Sequence, residues 1–353
     1  MNYLEDITPK IVIDRNNFTV QEITPEGETL DFTEKTFEEG PLSREKKFSH
    51  FILEKTGFTT QDAFKKMAIG LHIPSSRFDA AGMKDKEAHT VQLASVFGIS
   101  PTQLKNLQLN QMKILGAWLG QEKIRLGDLQ GNQFTFAVDT SQIKEKQCFP
   151  NYFGLQRFGS QRLNTHLVGK LILQGKFEDA VMNYLCFSGT ERNQENIEWR
   201  KKLLEEHNFK KSFETVPRTL GNEKILIKSL VRNEKDFVGA LRQMPRNIML
   251  MFIHSYQSHL FNYFLKKYSY DFKEKIELVG YESEVSKEMQ ELLDEEEITK
   301  ESFKIKSIPE LSSKGEQRNS KEEYGDLQIS EAKVSFKLKA GAYATVGIKN
   351  LMN

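Results

Sequence analysis

Apolar positions along this chain change period, and the changes outline its elements. Around residues 9–24 apolar and polar side chains alternate, with Ile11 and Ile13, then Phe18, Val20 and Ile23. This alternation predicts strands about a turn at Asp14-Arg15-Asn16-Asn17. Residues 49–55 and 88–96 read as two more strands. Between them the period lengthens, and Phe64, Met67, Ala68 and Leu71 share one helical face behind a cap at Thr59 or Thr60. Ser100-Pro101 opens a short helix, with serine as cap and proline in the first turn. Phe134, Phe136 and Val138 alternate as one buried strand face. Short strands mixed with helices up to about residue 140 predict an α+β sheet domain.

Beyond residue 160 the helical period dominates. Asn164-Thr165 can cap a helix ending near Gly175, and helices over 176–186 and 194–207 follow. Pro245 opens a long pattern through Lys267 whose Met, Phe, Leu and Tyr side chains read as packing. Residues 281–330 are polar and read as irregular. Strand character returns over 334–346, where the chain can rejoin the first sheet, and a short helix closes it.

Composition narrows the class. With 353 residues, 38% hydrophobic and 28% charged, the chain can bury a full core and form two domains. No apolar run has the length of a membrane span, and the first residues lack the layout of a signal peptide. Cys148 and Cys186 are the only cysteines and form neither a metal-type pair nor a disulfide framework, which suggests a reducing cytoplasm. The net charge of +1 gives no bulk signal for nucleic acid, although a local basic cleft is enough to collect phosphates. The acidic run Asp294-Glu295-Glu296-Glu297 reads as a solvated loop or helix end.

Two segments are dense in chemistry. Residues 82–92, Gly-Met-Lys-Asp-Lys-Glu-Ala-His-Thr-Val-Gln, place Asp85 in a glycine-led turn between Lys84 and Lys86. A carboxylate kept ionised by neighbouring cations can act as a nucleophile, although the same pattern also makes a plain polar hairpin. Residues 151–160, Asn-Tyr-Phe-Gly-Leu-Gln-Arg-Phe-Gly-Ser, combine aromatics, amides, an arginine and glycines. An aromatic can stack on an unstacked base, an amide can read its edge, and an arginine can meet a phosphate. A turn with two core phenylalanines is the plainer reading of that composition. No phosphate-binding loop of the Gly-x-x-x-x-Gly-Lys-Ser/Thr type occurs, which argues against a nucleotide-dependent enzyme.

Both segments resemble signatures of the TruD family of tRNA pseudouridine synthases. The first matches Gly82-x-Lys84-Asp85-x-x-Ala88-x-Thr90-x-Gln92, and the second is Asn-Tyr-Phe-Gly-x-Gln-Arg-Phe-Gly, present in full from Asn151. Four more collinear matches lie at Phe18–Ile23, from Leu126 to Phe134, from Ser255 to Asn262 and from Phe336 to Thr345.

The resemblance implies a pseudouridine-synthase mixed-sheet catalytic domain, circularly permuted, over 1–159 plus 319–353. A helix-rich α+β domain would be inserted over 160–318, as in archaeal-type members. It implies isomerisation of a uridine in tRNA, typically at position 13, without cofactor or metal. Asp85 would be the catalytic carboxylate. Asn151 and Phe153 would belong to the uridine pocket, with Lys84, Gln156, Arg157, Glu22 and Arg318 as further substrate contacts. tRNA is the implied partner, and no obligate protein partner is marked.

Two positions depart from the family pattern. Val12 stands where many members carry a basic residue, so Lys10, Arg15 or Lys84 would have to face Asp85. Asn350 stands where a glutamate is frequent in the terminal helix. An RNA-binding protein of the same fold with impaired catalysis is the alternative these departures leave.

Overall fold

The computed structural model describes residues 3–8, 17–159, 161–271 and 273–352. The expected strand at Ile11 and Ile13, most of the Asp14–Asn17 turn, and Lys10, Val12 and Arg15 lie outside the described residues. The chain divides into two compact units. One comprises Pro9–Phe149 and Glu322–Asn353, and the other Met1–Thr8 and Pro150–Lys321.

The first, the sheet unit, is built on strands β1 (Phe18–Ile23), β2 (Phe48–Lys55), β3 (Phe78–Ala80), β4 (His89–Phe97), β5 (Met112–Gly120) and β6 (Gly131–Ala137). Strands Gly325–Ser330 and Lys333–Lys339 complete it. The order runs Gly325–Ser330, Lys333–Lys339, β6, β1, β4, β2, β5, with β3 paired to β4 off this path. β1 and β4 are parallel, pairing Val20 with Thr90. β2 runs antiparallel to β4, pairing Leu53 with Gln92 and Lys55 with Thr90. Both polarities thus meet in one mixed sheet, as expected for an α+β fold. The late strand Lys333–Lys339 rejoins it beside β6, pairing Phe336 with Phe134.

Period-2 burial explains why these strands settle on one face. Phe51 and Leu53 of β2 and Ala94 and Val96 of β4 point into a core closed by helix Thr60–Leu71 through Phe64, Met67 and Ala68. Full burial of the larger of these side chains, Phe, Leu, Val and Met, stabilises by roughly 1.5–3 kcal/mol each. Thr59 caps the helix, accepting the Asp62 N–H on its side chain. Ser100 forms a complete capping box with Gln103 ahead of helix Pro101–Lys105. Val138 falls just past the end of β6 and is half-buried, so the buried phenylalanine face stops at Phe136.

The second unit is helix-rich. Helices Thr165–Leu173, Phe177–Cys186 and Gln194–Glu206 match the expected positions. Asn164 sits at the predicted cap, yet its amide donates to Asn183 Oδ1 at 3.1 Å and makes no cap bond. Three helices that periodicity had not marked follow, Phe209–Glu214, Gly221–Arg232 and Phe237–Arg242. Helix Arg246–Tyr268 is the central element, with every residue from Ser255 to Asn262 buried. A Cβ at Gly169 would lie 2.1 Å from the Phe252 carbonyl oxygen, so glycine is what lets helix Thr165–Leu173 approach so closely.

The expectation of an irregular 281–330 needs correction. Helix Lys287–Glu295 and strands Glu316–Asn319, Lys321–Glu323 and Gly325–Ser330 lie there. Met289, Leu292 and Leu293 bury one thin apolar face of the helix, too narrow to stand out in a charged stretch. The acidic run is also more than solvated charge. Glu296 accepts from Lys170 Nζ at 2.9 Å and Tyr256 Oη at 3.3 Å. His259 and Lys170 hold its carboxyl down at about 2.

Candidate active site

Asp85 is exposed on a turn anchored through Gly82, Lys84, Ala88, Thr90 and Gln92. The Gln92 side-chain amide donates to the Gly82 carbonyl at 2.8 Å. The Thr60 hydroxyl donates to Gln92 Oε1 at 2.9 Å and accepts the Lys84 N–H at 2.8 Å. Asp85 Oδ1 accepts the Lys86 N–H at 2.6 Å. Ala88 and Thr90 are buried at the entrance to β4. The spaced residues of the first signature are therefore the scaffold of a turn that presents the Asp85 carboxylate.

Lys84 does not turn toward Asp85. Its ammonium pairs with the Glu22 carboxylate beneath the turn, where the two side chains are only 6% and 1% exposed. Glu22 also accepts the Leu93 N–H at 2.9 Å. Burial pushes the Glu22 carboxyl up, opposed by Lys84 and by these hydrogen bonds. A Cβ at Gly82 would sit 2.5 Å from Lys84 Nζ and 3.0 Å from Glu22 Oε2, so the leading glycine makes room for the pair. Expected as substrate contacts, Lys84 and Glu22 are placed by the structure inside the turn's foundation.

A residue not singled out from the sequence completes that foundation. Lys55, fully buried at the end of β2, points its ammonium into the back of the turn. It donates to the Phe58 carbonyl at 2.7 Å, the Asp85 carbonyl at 3.0 Å and, more weakly, the Lys84 carbonyl at 3.5 Å. Burial, with Lys84 nearby, brings its pKa down to about 8, while Asp85 acts in the opposite sense. One signal was legible. Lys55 falls on the inward parity of β2 with Ser49, Phe51 and Leu53, where a lysine is out of place.

The second signature lies in the helical unit. Asn262 of helix Arg246–Tyr268 clamps Phe153 at both backbone groups, accepting its N–H and donating to its carbonyl, each at 2.9 Å. The Phe153 ring packs edge-on against Phe261 with centroids 5.4 Å apart and is 4% exposed. The buried Asn151 donates from Nδ2 to the Asn319 carbonyl at 3.0 Å. Arg318 Nη2 donates to Asn151 Oδ1 at 2.6 Å, and its guanidinium lies 4.1 Å from the Phe153 ring centroid.

Arg157 Nε donates to Ser258 Oγ at 3.0 Å. It lines a polar cavity of about 310 Å³ with His254, Gln257, Ser258, Lys314 and Glu316. Burial and Arg157 keep His254 below the usual imidazole range. Gln156 is exposed in the short turn Leu155–Phe158. The structure thus gathers Asn151, Phe153, Arg157 and Arg318 within one unit and Glu22, Lys84 and Asp85 within the other. Arg162 donates to the Tyr184 carbonyl and to Glu223. Asn350 Oδ1 accepts from Tyr324 Oη at 3.3 Å in the closing helix. Among the described residues no cluster of His, Cys, Asp and Glu could hold a metal ion, and no helix is long and apolar enough to cross a membrane.

The sequence profile of the family "tRNA pseudouridine synthase D (TruD)" matches residues 4–277 and 269–351, nearly the whole described chain. The chain belongs to the TruD family. It is 33% identical over 342 residues to the probable tRNA pseudouridine synthase D of Methanopyrus kandleri, covering 86% of this chain and 84% of that protein. With the corresponding protein of Nanoarchaeum equitans identity is 31%, over 97% and 96% of the two chains. The crystal structure of the putative tRNA pseudouridine synthase D from Methanosarcina mazei superposes with a TM-score of 0.69 at 27% identity, over 98% of this chain and 94% of that one. The α+β architecture is therefore that of a TruD protein, and the family is one of isomerases.

Proposed function

We propose that this chain isomerises a uridine in tRNA to pseudouridine, with Asp85 as the essential carboxylate. The observation that carries the assignment is the exposed Asp85 carboxylate on a turn held from behind by Lys55, Thr60, Gln92 and the buried Glu22–Lys84 pair. The reaction breaks the bond from C1′ to N1 of uracil and forms one from C1′ to C5. The proton on C5 is lost and N1 gains one. Asp85 can take part by attacking C1′ or by removing a proton from C2′. Neither route consumes an oxidant or a reductant.

The target base must first leave its stack, at a cost of roughly a few kcal/mol. Stacking on Phe153 offsets about 1–3 kcal/mol of that, and the Asn151 amide offers an acceptor to the uracil N3–H. We assign the catalytic role to the sheet unit, which carries Asp85. The helix-rich unit would be the TRUD-type insertion, carrying the base pocket and, at Arg157 and its cavity, contacts to the flanking nucleotide.

Uridine-labelled tRNA transcripts, with and without uridine at position 13, test the assignment. The protein should convert one site per susceptible transcript, and Asp85→Ala should reduce conversion to background. Full conversion by Asp85→Ala would remove Asp85 from the role. Binding without conversion by the parent protein would leave an RNA-binding role in its place.

A further inference from the structure

Arg318 makes the contacts that a uracil would need. A uracil in the pocket read above requires a flat partner over an aromatic ring and an acceptor for its N3–H. Phe153 and Asn151 Oδ1 are those two groups. In this structure a planar guanidinium lies 4.1 Å from the Phe153 centroid, and its Nη2 donates to Asn151 Oδ1 at 2.6 Å. Its Nε donates to the Asn151 carbonyl at 3.3 Å, so the group is fixed along two edges. The other end of the Asn151 amide is bonded to the Asn319 carbonyl, which sets its rotamer and leaves Oδ1 facing Arg318.

We infer that Arg318 is a displaceable placeholder for the substrate base, and hence a specificity-determining residue. The inference rests on the reading of Asn151 and Phe153 as the base pocket. The guanidinium mimics uracil in the two properties the pocket can sense, planarity and an N–H donor in the ring plane. It keeps the buried Asn151 acceptor satisfied while no base is present, avoiding the cost of a polar atom left unpaired. It also makes entry conditional. A base that stacks but cannot donate to Asn151 recovers only part of what is lost when Arg318 leaves. Uracil donates at N3, whereas cytosine presents an acceptor there. Discrimination then comes from competition for two contacts rather than from a rigid mould.

The test measures how much the target base adds to binding. Asp85→Asn protein is titrated with a transcript the parent protein modifies, and with the same transcript carrying an abasic ribose at the modified position. The ratio of the two dissociation constants reports the base alone. Arg318→Ala should raise the preference for uridine over the abasic site by about 30-fold, the lower end of one cation–π contact plus one charged hydrogen bond. Arg318→Met, which keeps the side-chain stem and the strand, should do the same. Equal weakening of both RNAs would make Arg318 a phosphate contact and overturn the inference. A fall in the preference for uridine would do so too, because Arg318 would then remain stacked on the bound base. Asn151→Ser separates the two levels. If it leaves the ratio unchanged, the base-pocket reading fails and the inference with it. If it lowers the ratio while both Arg318 variants leave it alone, only the placeholder role fails.

Discussion

Asp85 owes its position to buried groups behind its turn, and Lys55 is the most exacting of them. Its ammonium has three donors and faces three backbone carbonyls, two of them those of Lys84 and Asp85. Lys55→Met removes all three bonds and lets the turn drift. A misplacement of about 1 Å at a reacting group costs on the order of 10²-fold in rate, so kcat should fall by about that factor with little change in KM. Since burial lowers the Lys55 pKa to about 8, the cation persists below that pH and is lost as pH rises through it. Activity should therefore hold up to about pH 8 and decline above it, and Lys55→Arg should remove that decline by staying charged. A kcat profile between pH 6 and about 9 on a single transcript checks both, and an unchanged alkaline limb in Lys55→Arg would assign the titration elsewhere.

At the scale of elements, what was legible in the sequence depended on whether the signal was local. Thr59, Ser100 and the spacing of Phe64, Met67, Ala68 and Leu71 act within a turn or two of their own helix, and those helices fall where periodicity puts them. The 82–92 segment stood out by its residue types and by its resemblance to the family signature. What could not be read was the direction of its lysines. Lys84 meets Glu22, and Lys55 reaches Asp85, only because β1, β2 and β4 pair in one particular register. Arg318 was legible as a cation and illegible as the partner of Phe153, because Phe153 and strand Glu316–Asn319 are brought together by tertiary packing alone. The Glu22–Lys84 pair makes the element-scale prediction. Glu22→Gln leaves a buried ammonium without its carboxylate and should destabilise by about 3–5 kcal/mol in urea titrations. A change within about 0.5 kcal/mol, the range of a surface site, would show that the pair is not buried in solution.

On the scale of the whole molecule, each unit is assembled from separated stretches of chain. Met1–Thr8 belongs with the helical unit, where Tyr3 is fully buried and its hydroxyl lies 2.7 Å from His259 Nδ1. Asp6 pairs with Lys266 at 2.9 Å, on the same long helix. Tyr3→Ala should therefore cost about 3–5 kcal/mol, as for other buried aromatics. Hydrogen exchange should show the loss in Arg246–Tyr268. Loss confined to β4 would place the N-terminal segment elsewhere.

The same interleaving governs how the protein can be made. Chain leaves the ribosome from the N-terminus, at roughly 5–20 residues per second. Tyr3 must wait for His259, 256 positions later. β6 must wait still longer, because its neighbour Lys333–Lys339 is among the last segments synthesised. Until then β6 has an unpaired edge, the kind of surface on which nascent chains associate with one another. A nascent chain halted before residue 333 would carry Asp85, yet present it on a sheet left open beside β6.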